Sequence, residues 1–280
     1  MTIKPPIKWV GSKSKLLKHL LPVLSAHIDQ CDYYVEPFMG TGSVFLALLE
    51  DRVFSHTTFV LNDTNKYLIE IFHAIRDKVD ELVTLLKEAE KEYNDSEDKK
   101  KLYYQKRDEF NELLCKEDYS LKAITMFMTL IKTNWYGLYR INSKGDYSVP
   151  FGYAKKLSFN FSNIRNISDL LNKHKDRILF ENKDYRELLQ DYADKKCLVY
   201  MDPPYYKTFV SYAKDEFNHE EFAKIMETSP HQLVVSNSKI FLELIDNKDA
   251  YVTIEVDCWE RLNQSKSRRN EIILVRKLEQ

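Results

Sequence analysis

Leu198–Phe209 reads LVYMDPPYYKTF, an apolar run that stops on an acid, then two prolines, then two tyrosines. The run before Asp202 has the length and composition of a buried strand. Pro203 and Pro204 end its ladder, because neither carries an N–H to donate. By itself such a stretch is a proline-rich turn. It becomes a site only where other strand ends bring partners to the carboxylate and the rings.

The chain supplies those strand ends. Tyr33–Phe38 (YYVEPF) precedes the helical SVFLALLED, and Thr57–Asp63 (TTFVLND) precedes a long helical stretch, KYLIEIFHAIRDKVDELVTLLKEAEKEY. RILFE precedes DYRELLQDYA, CLVYMD precedes HEEFAKIMET, and QLVVSNS precedes KIFLELIDN. This alternation predicts a mostly parallel sheet with helices on both faces. The closing runs YVTIEVDCW and NEIILVRK have no long helix between them, which predicts an antiparallel hairpin. Val79 to Ser168 breaks the alternation and reads as a mainly helical lobe inserted in an α/β domain, dividing the chain into 1–78, 79–168 and 169–280. In such a sheet ligands lie beyond the carboxyl ends of the strands, so the loops after Phe38, Asp63 and Met201 share one crevice.

Hydrophobic residues are 44% and charged residues 30% of the 280, the balance of a soluble globular chain. No apolar stretch is long enough to span a bilayer, and MTIKPPIKWVGSKSK lacks the apolar core of a signal peptide, so no membrane association is expected. Cys31, Cys115, Cys197 and Cys258 have no CxxC spacing and no nearby histidine cluster. Neither a metal site nor a disulfide framework is expected, and a reducing compartment is the default. The formal net charge is −1, yet Leu121–Ser168 holds seven basic residues against one acid, Asp146. Those bases are interleaved with Trp135, Tyr136, Tyr139, Tyr147, Phe151 and Tyr153, a mixture suited to holding phosphates and stacking on bases. The charge-rich EAEKEYNDSEDKKKLYYQKRDEF before it reads as solvated helical faces.

Gly40 and Gly42 lie between a strand and a helix in EPFMGTGSVF, where a ligand can approach the backbone and the helix N-terminus offers amide donors. The spacing differs from G-x-G-x-x-G, which disfavours a dinucleotide. Asp63, at the end of the next strand, suits the two hydroxyls of a ribose; its other reading is an N-cap on the following helix. A nucleoside-type cofactor without pyrophosphate fits both features, and S-adenosyl-L-methionine is such a cofactor.

KWVGSKSKLL (Lys8–Leu17), VEPFMGTGSV, LND, GLYRINSKGDYSVPFG (Gly137–Gly152), MDPPYY and VVSNS follow one another in that order across most of the chain. In this the sequence resembles the Dam-type (D12 class, DPPY motif) DNA adenine-N6 methyltransferases. It departs from their usual pattern at Gly11-Ser12, where two glycines are common, at Glu36, where aspartate is common, and at Tyr136, where asparagine is common. The resemblance implies a Rossmann-like S-adenosylmethionine-dependent methyltransferase sheet with an inserted target-recognition lobe. It implies cofactor contacts at Trp9, Lys13, Asp63 and Asp202, with Glu36, Phe38, Gly40, Gly42, Asp184 and Tyr185 lining the pocket. Taken alone, Trp9 would be a core aromatic and Lys13 a surface cation.

The chemistry then explains the opening stretch. Methyl transfer to an exocyclic amine needs in-line positioning and acceptors for both N–H groups, and no metal. Asp202 is one acceptor and the Pro203 carbonyl the other; Pro204 restricts the backbone before it. Tyr205 offers a ring on which a flipped base stacks. N4-cytosine methylation uses the same tetrapeptide, a relative with asparagine for the acid methylates protein glutamine, and a silent DNA-binding relative would keep the fold. The basic aromatic segment favours duplex DNA as the partner. There Arg140, ahead of a Gly145-centred turn, matches guanine or a phosphate, Leu138 and Pro150 suit a thymine methyl, and Lys144 and Lys155 suit phosphates, with Tyr136 and Asn142 beside them. The resemblance favours GATC as target and leaves a cognate restriction endonuclease open as a partner; a cytoplasmic location, in a bacterial cell or a virus-infected host cell, is expected.

Overall fold

A computed structural model describes residues 3–9, 11, 13, 16–51, 56–207, 217–262 and 265–277, with side chains throughout these spans except from 258 to 269. In chain order come α1 (Leu17–Ile28), β1 (Tyr33–Glu36), α2 (Ser43–Asp51), β2 (Thr58–Asn62), α3 (Lys66–Asp77) and α4 (Val79–Asp95). Next are α5 (Lys99–Cys115), α6 (Leu121–Thr133), α7 (Phe161–Lys173), β3 (Ile178–Glu181), α8 (Tyr185–Asp191) and β4 (Cys197–Met201). The fold closes with α9 (His219–Thr228), β5 (Gln232–Ser238), β6 (Tyr251–Leu262) and β7 (Ser265–Arg276). The sheet order is β3-β2-β1-β4-β5-β7-β6. The first five strands are parallel, and β7 runs antiparallel between β5 and β6. The chain winds from β1 toward β3 and then returns to place β4 on the other side of β1. The switch point therefore lies between β1 and β4, and Glu36 and Asp202 stand at its mouth.

Successive strand residues face opposite sides, and both sides are covered. Tyr34, Phe59, Leu61, Leu198 and Tyr200 point into one core, while Val35, Val60, Val199 and Met201 point into another with Leu188 of α8 and Phe222 of α9. The first core runs without a break from the sheet through α1 to α3 into Phe110, Phe127 and Tyr147 of the helical lobe. The lobe thus shares its core with the sheet domain. Asn65, Asp98, Ser120, Asn160, Asp184 and Asn218 each accept a backbone N–H at a helix start, which fixes where those helices begin.

Several details depart from the pattern read in the sequence. The long stretch from Lys66 is two helices, broken at Lys78, whose φ of −141° and ψ of 39° leave the helical region. Lys239–Leu244 forms a 3-10 turn in place of an α-helix. The closing hairpin is longer than the apolar runs, twelve residues in each strand, because its ladder continues through polar positions. Helix α1 carries an internal Pro22 and was absent from the pattern, although Leu16, Leu20, Leu24 and Ile28 recur every fourth residue and are all buried. Residue 168 lies inside α7, which packs on α3 as well as on α4.

Candidate active site

The end of β2 organises the floor of the crevice. Asn62 is fully buried and its amide donates to Pro37 O at 2.9 Å and Lys183 O at 3.0 Å, while its oxygen accepts from Lys183 N at 2.8 Å. One side chain thereby ties together the loops after β1, β2 and β3. Next to it, Asp63 accepts from Gly40 N at 2.9 Å with one oxygen and from Asn65 N at 2.9 Å with the other. Asn65, not Asp63, caps α3. Burial pushes the Asp63 carboxyl up to about 6, and the two N–H donors pull it back. Gly40 and Gly42 have φ of +53° and +73°, in the left-handed region. A side chain on Gly42 would strike Phe45 and Phe72, whereas Gly40 faces open space within the crevice.

Glu36 is buried beneath this loop and accepts from Tyr34 Oη at 3.1 Å. Burial drives its carboxyl well above the usual range, the tyrosine bond lowers it, and the nearby Asp202 and Asp63 raise it. Phe38 and Tyr185 meet with ring centroids 5.2 Å apart, and Phe217 closes on both at 5.9 and 5.7 Å. Asp184 caps α8 through Arg186 N and takes two further bonds from the Arg186 guanidinium, at 2.7 and 3.1 Å. That guanidinium holds its carboxyl below the ordinary value.

Across the crevice, Lys13 is buried and its ammonium lies 2.9 Å from Asp202 Oδ1 and 2.9 Å from Gly11 O. The same nitrogen sits 4.5 Å from the centroid of the Tyr205 ring. Burial pushes the Asp202 carboxyl up to about 6, Lys13 lowers it, and Glu271 raises it. Pro203 is buried and Pro204 exposed, so the loop turns outward between them. The loop is held from the neighbouring strand β5: Tyr206 N donates to Asn237 Oδ1 at 3.1 Å and Ser238 Oγ donates to Tyr206 O at 2.9 Å. Trp9 is stacked on Tyr139 at 6.0 Å and tilted against Phe127 at 6.2 Å. It joins the N-terminal segment to the helical lobe.

A carboxylate, a carbonyl and an aromatic face thus converge on one buried nitrogen beyond the central strands, beside a glycine loop with an open face. Residues 9–263 match the family model of the D12 class N6 adenine-specific DNA methyltransferases. The chain belongs to this family. The type II methyltransferase M.MjaIII of Methanocaldococcus jannaschii is 33% identical over 256 residues, 85% of each chain. The DNA adenine methylase of Escherichia coli K12 is 30% identical over 270 residues, 94% of this chain and 87% of the relative. That of Salmonella typhimurium LT2 is 29% identical over 269 residues, with the same two coverages, 94% and 87%. The seven-stranded sheet is accordingly a Rossmann-like methyltransferase fold, and the chain is an adenine-specific DNA methyltransferase. It acts on DNA with a methyl donor of the S-adenosylmethionine type. Among the described residues, no helix is long and apolar enough to cross a membrane.

In this D12 methyltransferase the basic aromatic segment forms a small hairpin. Ile141 bridges Tyr147, Ser148 N donates to Arg140 O at 3.0 Å and Asn142 N donates to Asp146 O at 2.9 Å. Asn142 closes the tip: its oxygen accepts from Lys144 N and Asp146 N, and its amide faces Asp146 Oδ2 at 3.4 Å. Arg140, Lys144, Pro150 and Lys155 are exposed, whereas Leu138 is half-buried against the core. Trp135 and Tyr136 are exposed edge-to-face at 4.9 Å. Tyr136 has φ of +60°, an uncommon state for a large side chain, held by the buried Asn134, which accepts from Gly137 N and donates to Leu138 O. The helices of the charge-rich run do more than face solvent. Tyr103 of α5 donates to Val149 O at 2.8 Å, and Asn94 and Asn111 each exchange two bonds with the backbone at Leu157 and Tyr147. Their inner faces satisfy an irregular segment that has almost no ladder of its own.

Sequence reasoning did not single out Asn62, Glu271, Asn237 or Asn134. A polar residue at the end of an apolar strand is the one local signal that marks Asn62 and Asn237.

Proposed function

We propose that the methyltransferase moves the methyl group of S-adenosyl-L-methionine to N6 of an adenine turned out of duplex DNA, with Asp202, Pro203, Pro204 and Tyr205 receiving the base. The observation that carries this reading is the environment of the Lys13 ammonium, between the Asp202 carboxylate, the Gly11 carbonyl and the Tyr205 ring. An amine with both N–H groups bonded and the base stacked needs the same three kinds of partner.

The residues present suit the cofactor. Gly40 leaves room for a ligand against the backbone, Asp63 keeps acceptor capacity beyond its two amide bonds, and Phe38 with Tyr185 offers an aromatic wall. Lys13, Glu36, Gly42, Asp184 and Trp9 complete or support that pocket. When bound, S-adenosylmethionine supplies a methyl group made electrophilic by its sulfonium.

Ionised Asp202 accepts one N–H of the target amine and the Pro203 carbonyl the other, which concentrates the lone pair on nitrogen. The Tyr205 ring offsets part of the few kcal/mol needed to unstack and extrude the base, at about 1–3 kcal/mol per stacked base. We assign 79–168 to target reading and 1–78 with 169–280 to chemistry. Arg140 reads a guanine, Leu138, Tyr136 and Pro150 frame neighbouring bases, Lys144 and Lys155 hold phosphates, and Asn142 shapes the hairpin. The family resemblance favours GATC.

The test is incubation with methyl-labelled S-adenosylmethionine and unmethylated duplex DNA, followed by digestion to nucleosides. Label in N6-methyladenine is expected. Label in N4-methylcytosine, or in no nucleoside, would overturn the reading.

A further inference from the structure

The loop that carries Tyr205 is gripped from one side by two strands whose paired residues hold consecutive positions. Glu271 of β7 lies opposite Ser238 of β5 in the antiparallel ladder. Ser238 Oγ donates to the carbonyl of Tyr206 at 2.9 Å, and Tyr205 Oη donates to Glu271 Oε2 at 2.9 Å. The register of β5 on β7 thus sets both the backbone path of the loop and the direction in which the Tyr205 ring projects. From the other side Lys13 approaches the same ring at 4.5 Å.

A tyrosine ring on a loop rotates about two side-chain torsions, and stacking needs one ring plane. A hydrogen bond to a carboxylate at the far end of the side chain removes most of that freedom. Glu271 is placed to do this by accepting from the Tyr205 hydroxyl. It is anchored in a central position of the hairpin, flanked by Ser238 on one side and Val256 on the other. Its carboxylate is directed at the loop.

From this geometry we infer that Glu271 is a positioning residue for adenine methylation, acting through the Tyr205 hydroxyl to fix the plane on which the flipped base stacks. The inference rests on the assignment of Asp202 to Tyr205 as the base-receiving loop. It adds a residue far along the chain from that motif.

The test is a double-mutant cycle in single-turnover methylation of duplex DNA, with thermal unfolding of every variant. Tyr205→Phe keeps the ring and loses the hydroxyl. Glu271→Ala loses the acceptor, and Glu271→Gln keeps an oxygen in its place. Glu271→Ala and Tyr205→Phe are each expected to slow the single-turnover rate by roughly tenfold, with DNA affinity changed less than about twofold. The double variant is expected to be no slower than either single one, and Glu271→Gln to recover most of the rate. Losses that multiply in the double variant, a full rate in Tyr205→Phe beside a slow Glu271→Ala, or unchanged rates throughout would each overturn the inference. So would a slow Glu271→Ala whose unfolding midpoint falls enough to explain the loss. Wild-type enzyme in the same assay separates the two levels: N6-methyladenine from wild type with any of those outcomes removes Glu271 alone, and its absence removes the underlying assignment with it.

Discussion

Lys13 and Asp202 form a buried ion pair, 2.9 Å from nitrogen to oxygen, that joins the loop before α1 to the end of β4. The lysine resists the effect of burial on the acid: burial pushes Asp202 up to about 6, and Lys13 keeps it from rising further. In the proposed role the ionised carboxylate is the stronger acceptor, so the pair would link the N-terminal segment to the pH range of activity.

The acid limb of kcat/KM, which reports groups in the free enzyme, is therefore expected to rise through a pH of about 6. Lys13→Met removes the lowering influence and should move that limb to higher pH, whatever it does to the maximal rate. A limb that stays in place would contradict the pairing. The stability consequence has the opposite direction. Because the folded value lies above the ordinary one, the stability that this carboxyl contributes is present below its unfolded value and lost as pH rises through about 6. Asp63, also raised to about 6, behaves the same way. The stability of wild type relative to Asp202→Asn should therefore fall as pH rises through about 6.

Asp63→Ala should weaken cofactor binding by about 1–3 kcal/mol, the loss expected for hydrogen bonds to a charged acceptor. It also frees Gly40 N from its partner and loosens the glycine loop. Calorimetry with S-adenosylhomocysteine measures this directly. An unchanged affinity would reduce Asp63 to a brace for that loop.

Arg140→Ala should cost about 1–3 kcal/mol of discrimination at one guanine position and relax preference there. Lys144→Ala or Lys155→Ala should weaken binding to every duplex alike and flatten its salt dependence. The assay is methylation of duplexes in which each base pair of GATC is replaced in turn. If Arg140→Ala lowers activity equally on all of them, the side chain holds a phosphate.

What the sequence made legible was local. Strand runs that end in Glu36, Asn62-Asp63 and Met201-Asp202 announce themselves by apolar composition and by the glycines, acid or prolines that stop them, and the sheet they predict is the one observed. The partners of these strand ends were not legible, because they are set by the fold. Asn62 binds Pro37 and Lys183 across two strand crossovers, and Glu271 meets Tyr205 only because β7 inserts antiparallel beside β5. Nor were the ring partners of Trp9 legible: its indole packs on Tyr139 and Phe127, which lie more than a hundred residues away along the chain. The charge-rich helices were legible on their outer faces only, since Asn94, Tyr103 and Asn111 are polar residues whose bonds point inward to the basic aromatic segment.

The single-turnover rate of Asp202→Ala on unmethylated duplex DNA, measured beside its DNA affinity, tests the role of the carboxylate at the reacting nitrogen. Removing the charged acceptor at the reacting nitrogen should slow methyl transfer by roughly 10²–10³-fold or more while DNA binding stays close to that of wild type. Near-normal turnover in a folded Asp202→Ala enzyme would contradict the account.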